Sequence, residues 1–217
     1  LEVKNLSAYR NFNAAPLDRP CVIGIVPSGG DMYSQMIVQR LASELGRYSA
    51  QVVMPYSPGA RAVDVVARVN IQPDYLGSGW NFLINFPGFL VFAPAWNGYV
   101  YKVHYNVNVT LQRGDGKTPL ESFQLPVRLD VRHANINRTW TEISWLEVGI
   151  IALVGGCIFV QYDESVTPLV TDKVQVPVAD YIAQQIVSKV NAHADIGGAA
   201  FQFVANAARS LTSIRPS

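Results

Sequence analysis

The clearest pattern in the chain is an alternation with a period of two. From Gly98 to Gln112, Tyr101, Val103, Tyr105, Val107, Val109 and Leu111 fall on one side, while Val100, Lys102, His104, Asn106, Asn108 and Thr110 fall on the other. That is the signature of a strand with one buried face. The alternation resumes over Phe123–His133 through Phe123, Leu125, Val127, Leu129 and Val131. Between the two runs, Arg113-Gly114-Asp115-Gly116-Lys117 is turn chemistry, with two glycines able to take positive φ, so an antiparallel hairpin is predicted. A shorter alternation, Val65, Ala67, Val69 and Ile71, predicts another strand over Val65–Tyr75.

Other stretches follow different periods. Cys21–Val26 is a continuous apolar run bounded by Pro20 and Pro27, which predicts a strand buried on both faces and interior to a sheet. After Ser28-Gly29-Gly30-Asp31, the residues Ile37, Val38, Leu41, Ala42 and Leu45 recur at helical spacing, so Met32–Gly46 reads as an amphipathic helix. Asp31 or Ser34 can cap its start, and Gly46 can take the left-handed turn that ends it. Gln51–Pro55 is a second short strand, and the turn Ser57-Pro58-Gly59 leads into Ala60–Val66, a short helix. Strand, helix and strand in succession imply a right-handed crossover. Near the end, Val178, Tyr181, Ile182, Ile186, Val187 and Val190 predict a helix over Pro177–Ala192, with a weaker one over Ala199–Leu211. The opening Leu1–Pro20 has neither period and reads as a leader or tether, which leaves residues 21–217 as a single α/β domain.

Two apolar excursions interrupt that domain, at about residues 75–97 and 134–176. The first belongs to a stretch without one charged side chain from Tyr75 to Tyr101, in which Trp80, Phe82, Phe86, Phe89, Phe92 and Trp96 are concentrated. Its prolines, glycines and asparagines rule out a transmembrane helix, because they would leave backbone groups unpaired in hydrocarbon. The second contains Trp140 and Trp145 and the charge-free run Val148–Tyr162, too short to span a bilayer as a helix of about 20 residues. Such a density of aromatic residues is either folded into the core or offered to a membrane interface or a neighbouring subunit. Tryptophans flanking an apolar run suit an interfacial belt.

The chain of 217 residues is 49% hydrophobic and 15% charged, a globular composition short of charge. A net charge of +1 with scattered Lys and Arg offers no electrostatic footprint for nucleic acid. Cys21 and Cys157 have no CxxC or His-rich surroundings, so neither a zinc site nor a disulfide scaffold is signalled, and a single pairing between them is left open.

Candidate chemistry is sparse. The Ser28–Asp31 turn lacks the GxGxxG and GxxxxGK[ST] spacings, so it reads as a tight turn and not as a phosphate loop. His104, His133 and His193 have no ligand spacing and no neighbouring carboxylate pair, and no nucleophile elbow or HExxH helix is present. Asp163 and Glu164 read as the solvated border of the preceding apolar run. Arg113-Gly114-Asp115 reads as a turn and not as an adhesion motif. Sequons at Asn5, Asn108 and Asn137 matter only in a glycosylating source. No cofactor and no metal are expected, and the expectation is a protein that is not an enzyme.

The succession of strand (Val22–Val26), helix (Tyr33–Leu45), strand (Val52–Pro55), strand (Val65–Asp74), hairpin (Gly98–His133) and terminal helix (Val178–Asn191) resembles the TolB amino-terminal-like fold. That fold recurs in bacterial outer-membrane lipoproteins of the curli-secretion, Pel-polysaccharide-export and penicillin-binding-protein-activator types. The resemblance implies an α/β architecture, a mixed sheet with helices packed against it, here with two added apolar insertions. It also implies periplasmic, lipid-anchored placement at the outer membrane and a role in binding or assembly, with no functional residue carried over. The resulting expectation is a non-enzymatic envelope lipoprotein that contacts a membrane, an envelope protein or further copies of itself through Trp80, Phe82, Phe86, Phe89, Phe92, Trp96, Trp140 and Trp145. The alternative is a small hydrolase or ligand-binding enzyme whose pocket the aromatic insertion lines.

Overall fold

The computed structural model describes residues 1–10, 13–48, 50–59, 61–81, 99–133, 162–193 and 196. In chain order these form β1 (Glu2–Lys4), α1 (Ser7–Arg10), β2 (Cys21–Pro27), α2 (Met32–Arg47), β3 (Ala50–Val53), β4 (Val65–Leu76), β5 (Tyr99–Arg113), β6 (Pro119–His133), a 3-10 turn (Glu164–Val166) and α3 (Thr167–Ala192). Six strands make one sheet in the order β1-β6-β5-β4-β2-β3. The sheet is mixed, since β2 runs parallel to both β3 and β4 while β1 runs antiparallel to β6. The α/β class with helices packed against a mixed sheet is therefore the observed one, and β2 is interior to it, between β4 and β3.

The hairpin stands where the alternation predicts it. Strands β5 and β6 are both 15 residues long and adjacent. Side-chain contacts between His104 and Arg128 and between Thr110 and Ser122 join the two strands, and at the turn Arg113 donates its N–H to the Thr118 carbonyl at 2.9 Å. Every second residue of β5 from Tyr99 to Leu111 is buried.

Several boundaries differ from the sequence expectation. Asp31 is the residue that caps α2, accepting the Ser34 N–H at 2.7 Å. The helix runs through Gly46 to Arg47, because Tyr48 caps it through an N–H to Leu45 oxygen and no left-handed residue is needed. No helix occupies residues 61–64; the chain passes directly into β4, held by Asp64, whose carboxylate accepts the Val22 N–H at 2.8 Å. Helix α3 begins at Thr167, ten residues before the expected start, and carries Pro177 in its interior. The opening residues are structured where described. Glu2–Lys4 pairs with Asp130–Arg132, and residues 14–19 bond to α3 through Ala14 to Gln184 and Asp18 and Pro16 to Asn191.

By contact density the chain separates into two compact units. The first draws on the described parts of Leu1–Ala8, Pro73–Tyr105 and Pro126–Val174, the second on those of Tyr9–Gln72, Asn106–Leu125 and Gln175–Ser217. In the second unit α2 packs on β2 and β3, and Ile37, Leu41, Leu45, Ile23 and Ile25 are all buried, while Val22 lies in a cluster with Tyr56, Val63 and Val66. Tyr48 Oη donates to Asp180 at 2.8 Å, and burial, helped by that carboxylate, pushes its phenol up to about 12. In the first unit β1 closes one sheet edge, and its core holds Tyr99, Tyr101, Leu129, Val131, Val166, Val170 and Val174.

Candidate functional site

The features that stand out chemically lie in the first unit, where both apolar excursions leave the sheet; after the first the chain re-enters it at β5, and after the second the described chain resumes at Tyr162, ahead of the 3-10 turn. Strand β4 ends at Leu76, and the chain bends through Ser78, whose Oγ accepts the Trp80 N–H at 3.3 Å. Trp80 then projects outward, 58% exposed, while its neighbour Asn81 is wholly buried. A buried primary amide must find partners for both its donor and its acceptor. Asn81 finds them on one residue: its Nδ2 donates to the Val100 carbonyl at 2.9 Å, and its Oδ1 accepts the Val100 N–H at 2.8 Å. The side chain thereby imitates a strand partner at the start of β5. Residues 82–98 consequently leave and return through a clamped pair of ends.

The second excursion has its roots beside the first. It leaves after His133, the last residue of β6, and the described chain resumes at Tyr162. The Tyr162 ring stacks on Tyr75 with centroids 5.0 Å apart and planes 24° apart, and meets Tyr101 edge-on at 5.3 Å and 72°. Its hydroxyl lies 3.1 Å from Thr167 Oγ1, at the first residue of α3. Tyr75 and Tyr101 bound the charge-free stretch, so one tyrosine from the far side of the second excursion is packed between the two ends of the first. Offset-stacked and edge-on pairs of this kind contribute about 0.5–1.5 kcal/mol each beyond burial. Leu76 and Leu169, 40% and 48% exposed, add apolar surface to the same unit.

Of the eight residues that the sequence nominates for membrane or partner contact, Trp80 is described and is exposed. Phe82, Phe86, Phe89, Phe92, Trp96, Trp140 and Trp145 lie outside the described residues. The sequence reading did not nominate Asn81 or Tyr162. Their roles depend on partners 19 or more residues away, which no local period reveals.

Elsewhere the titratable groups are engaged in structural contacts. His104 Nδ1 lies 3.2 Å from Arg128 Nη1 and 4.0 Å from Asp74 Oδ2. His193 Nε2 lies 3.5 Å from Glu121, which also accepts from Lys189, and that lysine holds the Glu121 carboxyl below the usual range. Cys21 is a buried free thiol, and burial first, with Asp64 adding to it, pushes it up to about 12, which keeps it protonated and unreactive. Among the described residues no group of three or more His, Cys, Asp or Glu side chains could hold a metal ion. No helix of the described residues is long and apolar enough to cross a membrane. At the Ser28–Asp31 turn, the Asp31 carboxylate occupies the helix N-terminus where an anion would sit, and a Cβ on Gly30 would come within 2.6 Å of the Ile71 carbonyl. Gly30 thus serves close backbone approach, and both Gly29 and Gly30 take positive φ, at 79° and 85°.

No family model matches the chain, and no curated protein matches it. Among solved structures it is similar to rare lipoprotein B from Shewanella oneidensis, at 16% identity over 77% of this chain and 94% of that one, with a TM-score of 0.39. It is also similar to a minor lipoprotein from Acinetobacter baumannii, at 13% identity over 79% and 92% with a TM-score of 0.40. An uncharacterized lipoprotein B from Nitrosomonas europaea aligns at 10% identity over 82% and 84% with a TM-score of 0.42.

Proposed function

We propose that the protein is a bacterial envelope lipoprotein of the periplasm, held at the outer membrane, that works by contact and without catalysis of its own. Its apolar excursions seat on a membrane interface in the course of envelope assembly or secretion. The observation that carries this reading is the pair at the first root: Trp80 is 58% exposed while the adjoining Asn81 is wholly buried and bonded at both ends of its amide. An indole held out into solvent by a rigid root, at the start of a stretch free of charge, is the arrangement that an interfacial anchor requires.

One further feature supports the reading. The element order observed is the one on which the lipoprotein resemblance rests, down to the hairpin and the closing helix.

The test compares the wild-type chain with a variant carrying Trp80→Ser, Phe89→Ser and Trp96→Ser. Flotation with vesicles of phosphatidylethanolamine and phosphatidylglycerol should be strong for the wild type and fall at least about tenfold for the variant, with circular dichroism melting unchanged. A wild type that stays with the soluble fraction, or a variant that unfolds, would remove the proposal's support. Sedimentation of both proteins reports whether the same residues also join copies of the chain.

A further inference from the structure

In the second unit the segment before β2 lies along α3, and it is held as a bound peptide is held. Ala14 donates its N–H to Gln184 Oε1 at 3.2 Å, the Pro16 carbonyl accepts from Asn191 Nδ2 at 3.0 Å, and Asp18 donates its N–H to Asn191 Oδ1 at 3.2 Å. Leu17 donates its N–H at 3.1 Å to the carbonyl of Tyr48, which caps the end of α2. From Ala14 to Arg19 the segment keeps pace with α3 from Gln184 to His193, about 2.7 Å per residue at the helical rise, which only an extended chain covers. Of residues 13–20, Leu17 alone is buried. Arg19, at the far end, donates to the His193 carbonyl, where the end of α3 carries partial negative charge.

The groups that hold the segment are themselves fixed by α3. Gln184 is 2% exposed, and its Nε2 donates to Asp180 Oδ2 at 2.8 Å, which turns its carbonyl oxygen toward the segment. Asn191 follows about two helical turns later on the same face, and it takes a carbonyl and an N–H two residues apart, the pattern that one strand offers another. Contacts to backbone read no sequence, so selectivity lies in the seat of Leu17 and in the cationic end. We infer that the surface between α3 and the end of α2 is a peptide-binding groove occluded by the chain's own residues 14–19, and that it takes an extended segment of a partner protein with an apolar residue followed two positions later by a basic one. The segment in place sets that chemistry, because Leu17 and Arg19 show which side chains the groove accommodates. A tethered occupant acts at an effective concentration of about a millimolar, so a partner's segment enters when the tethered one is loosened. The inference is independent of the membrane reading and rests on other residues.

The test uses the full chain and a fluorescein-labelled peptide with the sequence of residues 13–20, read by fluorescence anisotropy. Two variants loosen the segment in place: Leu17→Asp, which sets a charge in the buried seat, and Ala14→Pro, which removes the N–H that Gln184 accepts. Each should bind the peptide at least about tenfold more tightly than the wild type, whose groove is occupied. Adding Asn191→Ala to either should return binding to the wild-type level, and a peptide carrying Leu17→Asp or Arg19→Glu should bind at least about tenfold more weakly. Circular dichroism melting accompanies each measurement, and if one loosening variant unfolds, the other decides. If both unfold, the segment is a fixed part of the fold and the proposal falls. Folded variants that bind no better than the wild type, or that bind the Leu17→Asp peptide equally well, overturn it too. Self-association of the wild type in sedimentation that Asn191→Ala abolishes would make a second copy of the chain the occupant, and would overturn the assignment to a partner protein.

Discussion

At the scale of single residues, the tightest constraint in the hairpin is the place of Gly114. Of the two glycines in the turn, Gly116 takes the left-handed conformation, at φ 67°, whereas Gly114 does not. Gly114 is required by proximity: a Cβ there would lie 1.8 Å from the Val63 carbonyl oxygen, and its own carbonyl faces Tyr56 Oη at 3.5 Å. Backbone cannot yield as a flexible side chain can. Gly114→Ala should therefore cost about 3 kcal/mol or more, at the upper end of overpacking penalties, whereas Gly116→Ala should cost about 1 kcal/mol for the strained φ. Urea denaturation of the two variants would show the ordering, and equal midpoints would contradict it. Gly24 presents a milder case, since a Cβ there would meet the Tyr56 ring at 2.7 Å.

At the scale of elements, the turn between β5 and β6 is held by one carboxylate. Asp115 accepts the Lys117 and Thr118 N–H groups at 2.8 and 2.9 Å and the Thr118 hydroxyl at 2.6 Å. The hydroxyl bond first, then the two amide bonds, hold its carboxyl down at about 2. These engagements place Arg113-Gly114-Asp115 in a turn, as its glycines led the sequence reading to expect. A folded-state value below the ordinary one means that the turn gains stability above about pH 4, and that this is lost as pH falls toward 2. Amide exchange at Lys117 and Thr118 should accelerate over that window in the wild type and be fast and pH-insensitive in Asp115→Ala, after correction for intrinsic exchange. Protection that persists unchanged at pH 2 would contradict the assignment.

The long strands also show how free edges are guarded. Pro73 lies in β4 beyond Val69, where the pairing with β2 ends, and Pro126 lies in β6 before Asp130, where the pairing with β1 begins. Among the described residues, both sit on strand stretches with no neighbour on the outer side, where a missing N–H breaks no ladder and discourages edge-to-edge association.

At the scale of the whole molecule, β2 is the element that the fold depends on most. Val22, Ile23 and Ile25 have no exposed surface, and β2 supplies the ladder to β3 on one side and β4 on the other. Ile25→Asp would bury a charge with no counter-ion, at a cost of about 5 kcal/mol or more, comparable to the total stability of about 5–15 kcal/mol that domains possess. The variant should be unfolded at room temperature by circular dichroism. A melting temperature within a few degrees of wild type would show that β2 does not hold the sheet together.

What the sequence by itself determined is whatever a short-range period expresses. The alternation in β5 and β6, the continuous apolar run of β2 and the helical spacing in α2 all reappear as buried faces, because each pattern is the imprint of one element against one core. Even α3 was legible further back than it was read: Val166, Val170, Val174, Val178, Ile182, Ile186 and Val190 repeat every four residues and are all buried, but Pro177 reads locally as a helix start and obscured the first three. The tertiary structure alone decided what depends on distant partners. The three residues of β1 have no period of their own and owe their form to β6, and the opening segment is held by side chains of α3 more than 160 residues away, such as Gln184 and Asn191. Asn81 reads as one polar residue among many until Val100 lies against it, and Tyr162 as the end of an apolar run until Tyr75 and Tyr101 enclose it. Periodicity records which face of an element is buried; it cannot record which residue waits on the other side, and the roots of both excursions are made of such meetings.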